Sequence, residues 1–331
     1  MLNPKVKLVP NVLDSQKVEH KPIRDGYGDG LLLAGEANPN VVALCADLSE
    51  STRTQPFQKK FPERYVELGV AEQNLATVAS GMAAMGKIPY ISSYAMFSPG
   101  RNWEQIRTTI AYNGQHVVIA GAHAGISVGP DGATHQAVED LAIMRVMPTL
   151  TVMAPCDAIE AKKATLAALS LSGPVYIRFA REKTAVVTTE ATPFQVGRAE
   201  MFREGSDVAI IACGPLVYNA LVAAEELSTE GIEVTIINSH TVKPLDVEMV
   251  VQAAKACGAV VTVEEHQING GLGSAVCETL AEQHPVPVER IGVRDRFGES
   301  GDPNELVEHF GMGAQSIKEA VRRALGRKSP R

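Results

Sequence analysis

The sequence predicts an α/β fold of two consecutive αβα domains with mainly parallel sheets, and three observations carry that prediction. Short apolar runs alternate with helix-patterned segments along almost the whole chain, the signature of parallel strands whose connecting helices cover both faces of a sheet. The alternation breaks once, between Val186 and Ser206, where Thr, Pro, Gly and charged residues accumulate. The length of 331 residues, with 45% apolar and 21% charged residues, suits two globular domains of roughly 100–200 residues each.

Taken in order, residues 1–21 form a polar N-terminal extension without the apolar stretch of a signal peptide. The first domain, 22–185, reads as strands at Val41–Cys45, Tyr65–Leu68, Ile88–Ser92, Val117–Ala120, Thr149–Met153 and Val175–Phe179. Helices fall between them at Glu72–Met85, Asn102–Tyr112, Gln136–Arg145 and Ala158–Ser170. A linker is expected over 186–206. The second domain, 207–331, reads as strands at Val208–Cys213, Val234–Asn238, Val260–Glu264 and Val288–Ile291. Its helices are expected at Leu216–Ser228, Asp246–Ala256, Ser274–Gln283 and Ala314–Ala324, with a frayed tail from Gly326.

Charge and composition exclude several function classes. A net charge of −7 with no basic run before the last few residues argues against nucleic acid or an anionic membrane as partner. No window holds the roughly 18 continuous apolar residues of a spanning helix. Cys45, Cys156, Cys213, Cys257 and Cys277 are widely spaced with no CxxC pair. They read as buried thiols in a reducing compartment, the cytoplasm, and form neither a disulfide framework nor a zinc site.

Two glycine motifs mislead. Gly81-xxxx-Gly86-Lys87 matches most of a P-loop, but Ile88 replaces the metal-binding hydroxyl and the motif ends a helix where it should open one. Gly270-Gly-Leu-Gly273 precedes a helix and could hold an anion on free amides, but Val276 stands where a dinucleotide motif needs its third Gly. Loop packing is the expected role.

Three segments carry chemistry. In Glu67-Leu-Gly-Val-Ala-Glu-Gln-Asn74 a strand ends, Gly69 turns the chain and Glu72 opens an Ala-rich helix. That carboxylate is either a helix-dipole partner or a functional acid. Ser92-Ser-Tyr-Ala-Met-Phe97 places aromatics after a strand, as core or as a ring-stacking platform. His123-Ala-Gly-Ile-Ser-Val-Gly-Pro-Asp-Gly-Ala-Thr-His-Gln136 sets two His and one Asp in a Gly-rich loop after a strand, where such folds bind ligands. A metal cluster of His123, Asp131 and His135 is conceivable, although the spacing fits no common zinc pattern.

Together with Gly100-Arg-Asn-Trp-Glu-Gln-Ile-Arg107 and Arg181 after the Val175–Phe179 strand, these segments resemble the C-terminal half of transketolase encoded as a separate subunit. The resemblance runs from about Pro22 to Leu325 and implies a pyrimidine-binding domain followed by the transketolase C-terminal domain. The domain that grips diphosphate and metal is missing from this stretch. Gly28-Asp29-Gly30 is similar to its metal-diphosphate motif, but no Asn follows at the required distance of about 25 residues, and the triplet lies in a helical pattern.

The resemblance assigns roles to residues. Glu72 matches the glutamate that hydrogen-bonds N1′ of the thiamine aminopyrimidine, a pairing that favours the imino tautomer and so removal of the thiazolium C2 proton. Tyr94 and Phe97 match aromatics that contact the pyrimidine. Leu48 matches the apolar wedge that holds the cofactor bent, with Asp47 beside it. His123 and His135 match histidines facing the sugar hydroxyls and the reacting carbons, and His135 also borders the cofactor. Asp131 matches the carboxylate that reads the hydroxyl next to the carbonyl. Arg181, with Arg24 and Ser51, matches the phosphate-binding set. No residue of this chain is expected to bind metal. Thiamine diphosphate is the implied cofactor, with Mg2+ or another divalent ion held mainly by the partner.

The resemblance thus implies a subunit that transfers a two-carbon ketol unit from a ketose phosphate to an aldose phosphate. It would work with an N-terminal transketolase subunit as an α2β2 assembly. The β subunit of a 2-oxo acid dehydrogenase is one alternative, but it needs neither the sugar-phosphate Arg nor the Asp131-Gly-Ala-Thr-His-Gln loop. Deoxyxylulose-phosphate synthase is another, though normally one chain with all three domains. A regulatory or scaffold protein is the third; the intact Glu72, His123, Asp131 and His135 set speaks against it.

Overall fold

The computed structural model describes residues 1–328. The first half contains strands β1 (His20–Pro22), β2 (Val41–Cys45), β3 (Tyr65–Glu67), β4 (Ile88–Tyr94), β5 (Val118–Ala122), β6 (Thr151–Met153), β7 (Val175–Arg178) and β8 (Lys183–Ala185). Its helices are α1 (Ile23–Ala37), α2 (Gln55–Lys60), α3 (Glu72–Ala84), α4 (Trp103–Gln105), α5 (Asp140–Arg145) and α6 (Ala158–Ala168). The second half adds β9 (Glu200–Arg203), β10 (Val208–Ala212), β11 (Val234–Asn238), β12 (Thr241–Lys243), β13 (Val260–Gln267) and β14 (Val288–Val293). Its helices are α7 (Leu216–Thr229), α8 (Val247–Cys257), α9 (Leu272–Gln283), α10 (Pro303–His309) and α11 (Ala314–Gly326).

Two large sheets organise most of these elements, while β1 and β8 pair antiparallel in a small third one. The larger has the order β12-β6-β7-β5-β4-β2-β3, parallel except for β12. The second has the order β14-β13-β10-β11-β9, parallel except for β9. Central strands β2, β5, β10 and β11 are buried along their whole length, which is why they read as unbroken apolar runs.

Each large sheet is covered by helices on both faces. On one face of the larger sheet Ile23, Tyr27 and Leu31 of α1 and Ala161, Ala164 and Ala168 of α6 cover Val41, Tyr90 and Val118. α1 and α6 approach so closely that a Cβ on Gly26 would stand 1.8 Å from the Ala158 carbonyl oxygen, and one on Gly30 2.7 Å from Thr165 Cβ. Those glycines, with Gly28 packed on Arg53, serve helix packing. The other face, with Leu75, Ala79, Ile106 and Ile110, is continuous with Ile211, Ile237, Val250 and Leu272 of the second half.

Several segments depart from the sequence reading. The helix expected over Gln136–Arg145 begins only at Asp140, because the Gln136 amide is engaged by the carbonyls of Ile126 and Glu299 at 3.0 and 2.8 Å. The segment Asn102–Tyr112 is one α turn followed by a π-helix at Ile106–Ala111. Residues 186–206, expected as a linker, include β9, which pairs antiparallel with β11. The polar N-terminal stretch packs on the second half: Val6 and Val12 are buried in its core, and Asn3 and Val9 donate main-chain bonds to Phe202 and Val187 at 2.9 and 3.0 Å. The tail expected to fray is helical at Gly326, and its last three residues lie outside the described ones. Among the described residues no helix is long and apolar enough to cross a membrane.

Candidate active site

The candidate residues gather at the carboxyl ends of the adjacent strands β7, β5, β4 and β2, the edge where parallel sheets place ligands. Asp47 and Leu48 follow β2, Tyr94 ends β4, His123 follows β5, and Arg181 follows β7. Asp47 and His123 adopt left-handed φ values of 59° and 54°. Such values are uncommon outside glycine and recur where structure is held for function. The Asp47 main-chain N–H donates to Glu67 Oε1 at 2.7 Å, which pins the turn after β2.

Glu72 opens α3 and is only 1% exposed. Its Oε1 accepts from Ser93 Oγ at 3.2 Å and its Oε2 from Arg101 Nη1 at 2.9 Å. Asn102 Nδ2 donates to the Glu72 carbonyl at 2.9 Å and so fixes the start of the helix. Each carboxyl oxygen has one partner here and retains a lone pair for a second. The sequence reading found Glu72 but missed Ser93, Arg101 and Asn102 as its partners. Ser93 lies in the Ser92–Phe97 segment and the other two in Gly100–Arg107, but nothing in their spacing says that they fold back on Glu72.

An aromatic wall adjoins the acid. Tyr94 and Phe97 stack nearly parallel at 6.1 Å between ring centroids. His123 packs on Tyr94 at 4.0 Å, and His135 stands edge-on to Phe97 at 5.4 Å. The Arg101 guanidinium lies 5.2 Å from the Phe97 ring centre.

Beyond this wall is a cationic corner. Arg24, in the first turn of α1, sends Nη1 to His123 Nε2 at 3.2 Å and to the Ser51 carbonyl at 3.1 Å. Arg24 Nε and His123 Nδ1 are buried with no partner. Burial first, then the charges of Arg24 and Arg181, bring the His123 ring down to about 3. Arg181 Nη1 donates to the Val128 carbonyl at 3.1 Å and lies 3.5 Å from Asp131 Oδ2. The conceivable metal cluster does not form: His123 is committed to Arg24 and Asp131 to Arg181. Among the described residues no group of three or more His, Cys, Asp or Glu could hold a metal ion. Among the described residues no cysteine is bonded in a disulfide, and four of the five are buried.

The Gly270–Gly273 turn is internally satisfied. Glu264 accepts from the main-chain N–H groups of Leu272 and Gly273 at 2.7 and 2.8 Å, so a carboxylate of the protein occupies the amides an anion would use.

Taken together, an acid at a helix start, an aromatic wall and a cationic corner along one edge of a parallel sheet define an enzyme of the α/β cofactor-dependent class. Residues 19–186 match the transketolase pyrimidine-binding domain and residues 197–317 the transketolase C-terminal domain. The chain is 42% identical over 313 residues to the 6-deoxy-6-sulfo-D-fructose transketolase subunit of Clostridium sp. strain MSTE9, covering 95% of this chain and 97% of that protein. It is 35% identical over 295 residues to an apulose-4-phosphate transketolase subunit of Phocaeicola vulgatus, covering 89% and 94%. A solved structure described as an inactive β4 tetramer of a split-gene transketolase superposes with a TM-score of 0.88 at 45% identity, over 93% of this chain and 99% of that one. The chain belongs to the transketolase family and corresponds to the C-terminal part of a thiamine-diphosphate-dependent, split-type transketolase.

Proposed function

We propose that this chain supplies the pyrimidine-binding and substrate-binding half of a cytoplasmic transketolase, with an N-terminal subunit supplying the diphosphate and divalent-metal site in an α2β2 assembly. The observation that carries the reading is the buried Glu72 beside the Tyr94–Phe97 wall, next to two unpartnered buried donors at Arg24 and His123. Buried cysteines with no disulfide among the described residues agree with a reducing compartment.

The residues suit the cofactor's pyrimidine end. Glu72 has a free lone pair on each oxygen, in a water-poor place where a carboxyl can share a proton with a ring nitrogen. Tyr94 and Phe97 give the ring apolar faces, and Leu48 and Asp47 border it from the end of β2. Bound thiamine diphosphate supplies the carbanion chemistry that cleaves and rebuilds the carbon–carbon bond beside a carbonyl. Glu72 holds the pyrimidine ring nitrogen and orients its amino group. His123 and His135 face the hydroxyls of the sugar, and His123 offers an Nδ1–H because Arg24 donates to its Nε2. Asp131 accepts from the hydroxyl next to the carbonyl. Arg24, Arg181 and Ser51 hold the terminal anion, for which a guanidinium fork is well shaped.

That anion is phosphate or sulfonate: both are tetrahedral oxyanions, and relatives are named for substrates of each kind. The deciding experiment is co-expression with an N-terminal transketolase subunit. A ketol-transfer assay then uses thiamine diphosphate, Mg2+ and either xylulose 5-phosphate or 6-deoxy-6-sulfofructose as donor. We expect turnover with one donor and none from this chain alone. Turnover by the isolated chain, or no ketol transfer by a well-formed complex with either donor, overturns the proposal. Light scattering reports the assembly; a stable, active one-to-one complex contradicts α2β2.

A further inference from the structure

The loop that carries His123, Asp131 and His135 belongs to the first half of the chain, yet the second half holds it in place. Ser127 donates its main-chain N–H to Glu265 Oε1 of β13 at 2.5 Å. At Gly125, with φ +89°, a Cβ would stand 2.4 Å from the same oxygen, so only glycine lets the loop pass this close to the carboxylate. Gly129 and Gly132 approach Pro303 and Ser300 similarly, at 2.8 and 2.5 Å from the Cβ each would carry.

Glu265 is itself anchored from the first domain. Arg178, at the end of β7 and 3% exposed, donates Nη2 to the Glu265 carbonyl at 2.6 Å and Nε to Asp140 Oδ2 at 2.9 Å. Tyr176 completes this buried set through its hydroxyl to Asp140 Oδ2 at 2.7 Å. Glu265 is 1% exposed, and one of its oxygens, Oε2, has no partner. A buried carboxylate is costly to keep, and here its side chain bonds to Ser127 in the loop of the two histidines.

We infer that Glu265 is a positioning residue of the C-terminal domain, setting the stretch between His123 and Asp131 so that both reach the substrate. The inference rests on the ketol-transfer reading and gives the second domain a part in the active site. Glu265 touches neither substrate nor cofactor; it acts through Ser127.

The test compares Glu265→Ala, which removes the acceptor, with Glu265→Gln, which keeps one at the same place. In the reconstituted two-subunit enzyme, Glu265→Ala should lower kcat/KM for the donor by about ten- to a hundredfold, the scale of a small misplacement of reacting groups. Most of that loss should fall on KM for the donor. Thiamine diphosphate affinity should be unchanged, and Glu265→Gln should lie near wild type. An equal loss in both variants, or a loss in active fraction at unchanged KM, overturns the inference. A second measurement needs no activity: imidazole NMR of the chain alone, with His123→Gln identifying the signal. The His123 resonances should shift in Glu265→Ala and stay in Glu265→Gln. Unmoved resonances in Glu265→Ala overturn the inference whether or not the complex turns over. A silent wild-type complex with shifted resonances instead faults the functional reading alone.

Discussion

Arg24 Nη1 lies 3.2 Å from His123 Nε2, and because a guanidinium has no acceptor it must be the donor of this bond. The neutral ring must therefore accept at Nε2 and carry its proton on Nδ1, which points to no protein partner. Fixing one ring nitrogen sets the other. His123 is thus presented as a neutral donor, the form suited to a sugar oxygen and unsuited to taking up a proton.

His123 should stay neutral down to about pH 3, because burial and the neighbouring arginines hold its pKa there. Its ordinary value is 6.5, so the folded ring binds its proton less readily than an unfolded one. Its contribution to stability is therefore full above about pH 6.5 and is lost as pH falls toward 3. NMR titration of labelled histidines checks this. Arg24→Met should move the His123 titration upward but short of 6.5, since burial is the larger cause. A midpoint near 6.5 in the wild type would sink the assignment.

Glu72→Gln should be the most damaging conservative change. The amide keeps the size and the bond to Ser93, but it cannot share a proton with the cofactor ring as a carboxyl does. We expect hydrogen–deuterium exchange at the cofactor C2 to slow by about 10²–10⁴-fold in the reconstituted complex at saturating cofactor. A helix-start carboxylate with no further role would cost only about 0.3–1 kcal/mol of stability, with exchange at the wild-type rate.

Arg181→Ala should discriminate among substrates. Losing a charge-assisted bond to a terminal phosphate or sulfonate costs about 1.5–3 kcal/mol where the group is desolvated. Donors and acceptors without that anion should lose less, since for them the change acts only by releasing Asp131, 3.5 Å away, and by removing a charge near His123. Steady-state kinetics with both kinds of acceptor measures it; equal losses point to a damaged fold.

Two helical glycines should respond oppositely to alanine. Gly26→Ala drives a methyl against the Ala158 carbonyl, with 1.8 Å between them, and should separate α1 from α6 at a cost of about 3 kcal/mol, the upper end of the usual overpacking range. Gly81→Ala, in α3 with nothing within 4 Å of the new methyl, should stabilise the isolated chain by roughly 0.5–1 kcal/mol. Urea unfolding of the two variants separates the cases.

Much of this architecture was legible because buried parallel strands leave uninterrupted apolar runs. Val41–Cys45 and Val234–Asn238 are observed with the bounds their composition suggested. Short elements whose existence depends on a distant partner were not legible. Strand β12 is three residues long and pairs with β6 of the other half, and β9 hides in a stretch rich in turn-forming residues. At the site, local spacing marked the His123–Gln136 loop and Glu72. It could not mark Arg101, whose role comes from folding back 29 positions onto Glu72, or Glu265, which meets Ser127 across 138 positions. In the Glu264-Glu-His266 run each member has its own duty, and each is set by a partner far away in sequence or by the helix that follows. Glu264 caps α9, Glu265 holds the histidine loop, and His266 Nε2 accepts from the Ala142 main chain at 3.3 Å.

Strand β12 also governs how the molecule can be dissected. It comes from the second half of the sequence but closes the edge of the first half's sheet, lying antiparallel on β6. A fragment ending near residue 186 would leave the β6 edge bare, with its ladder groups open to any passing strand. Such a fragment should self-associate, however sound its own helices. The remainder would lose Val152, Ala154 and Tyr176 from a core they share with Ile211 and Ile237. The two halves are therefore one cooperative unit despite their separate sheets, and heating should melt them in a single transition.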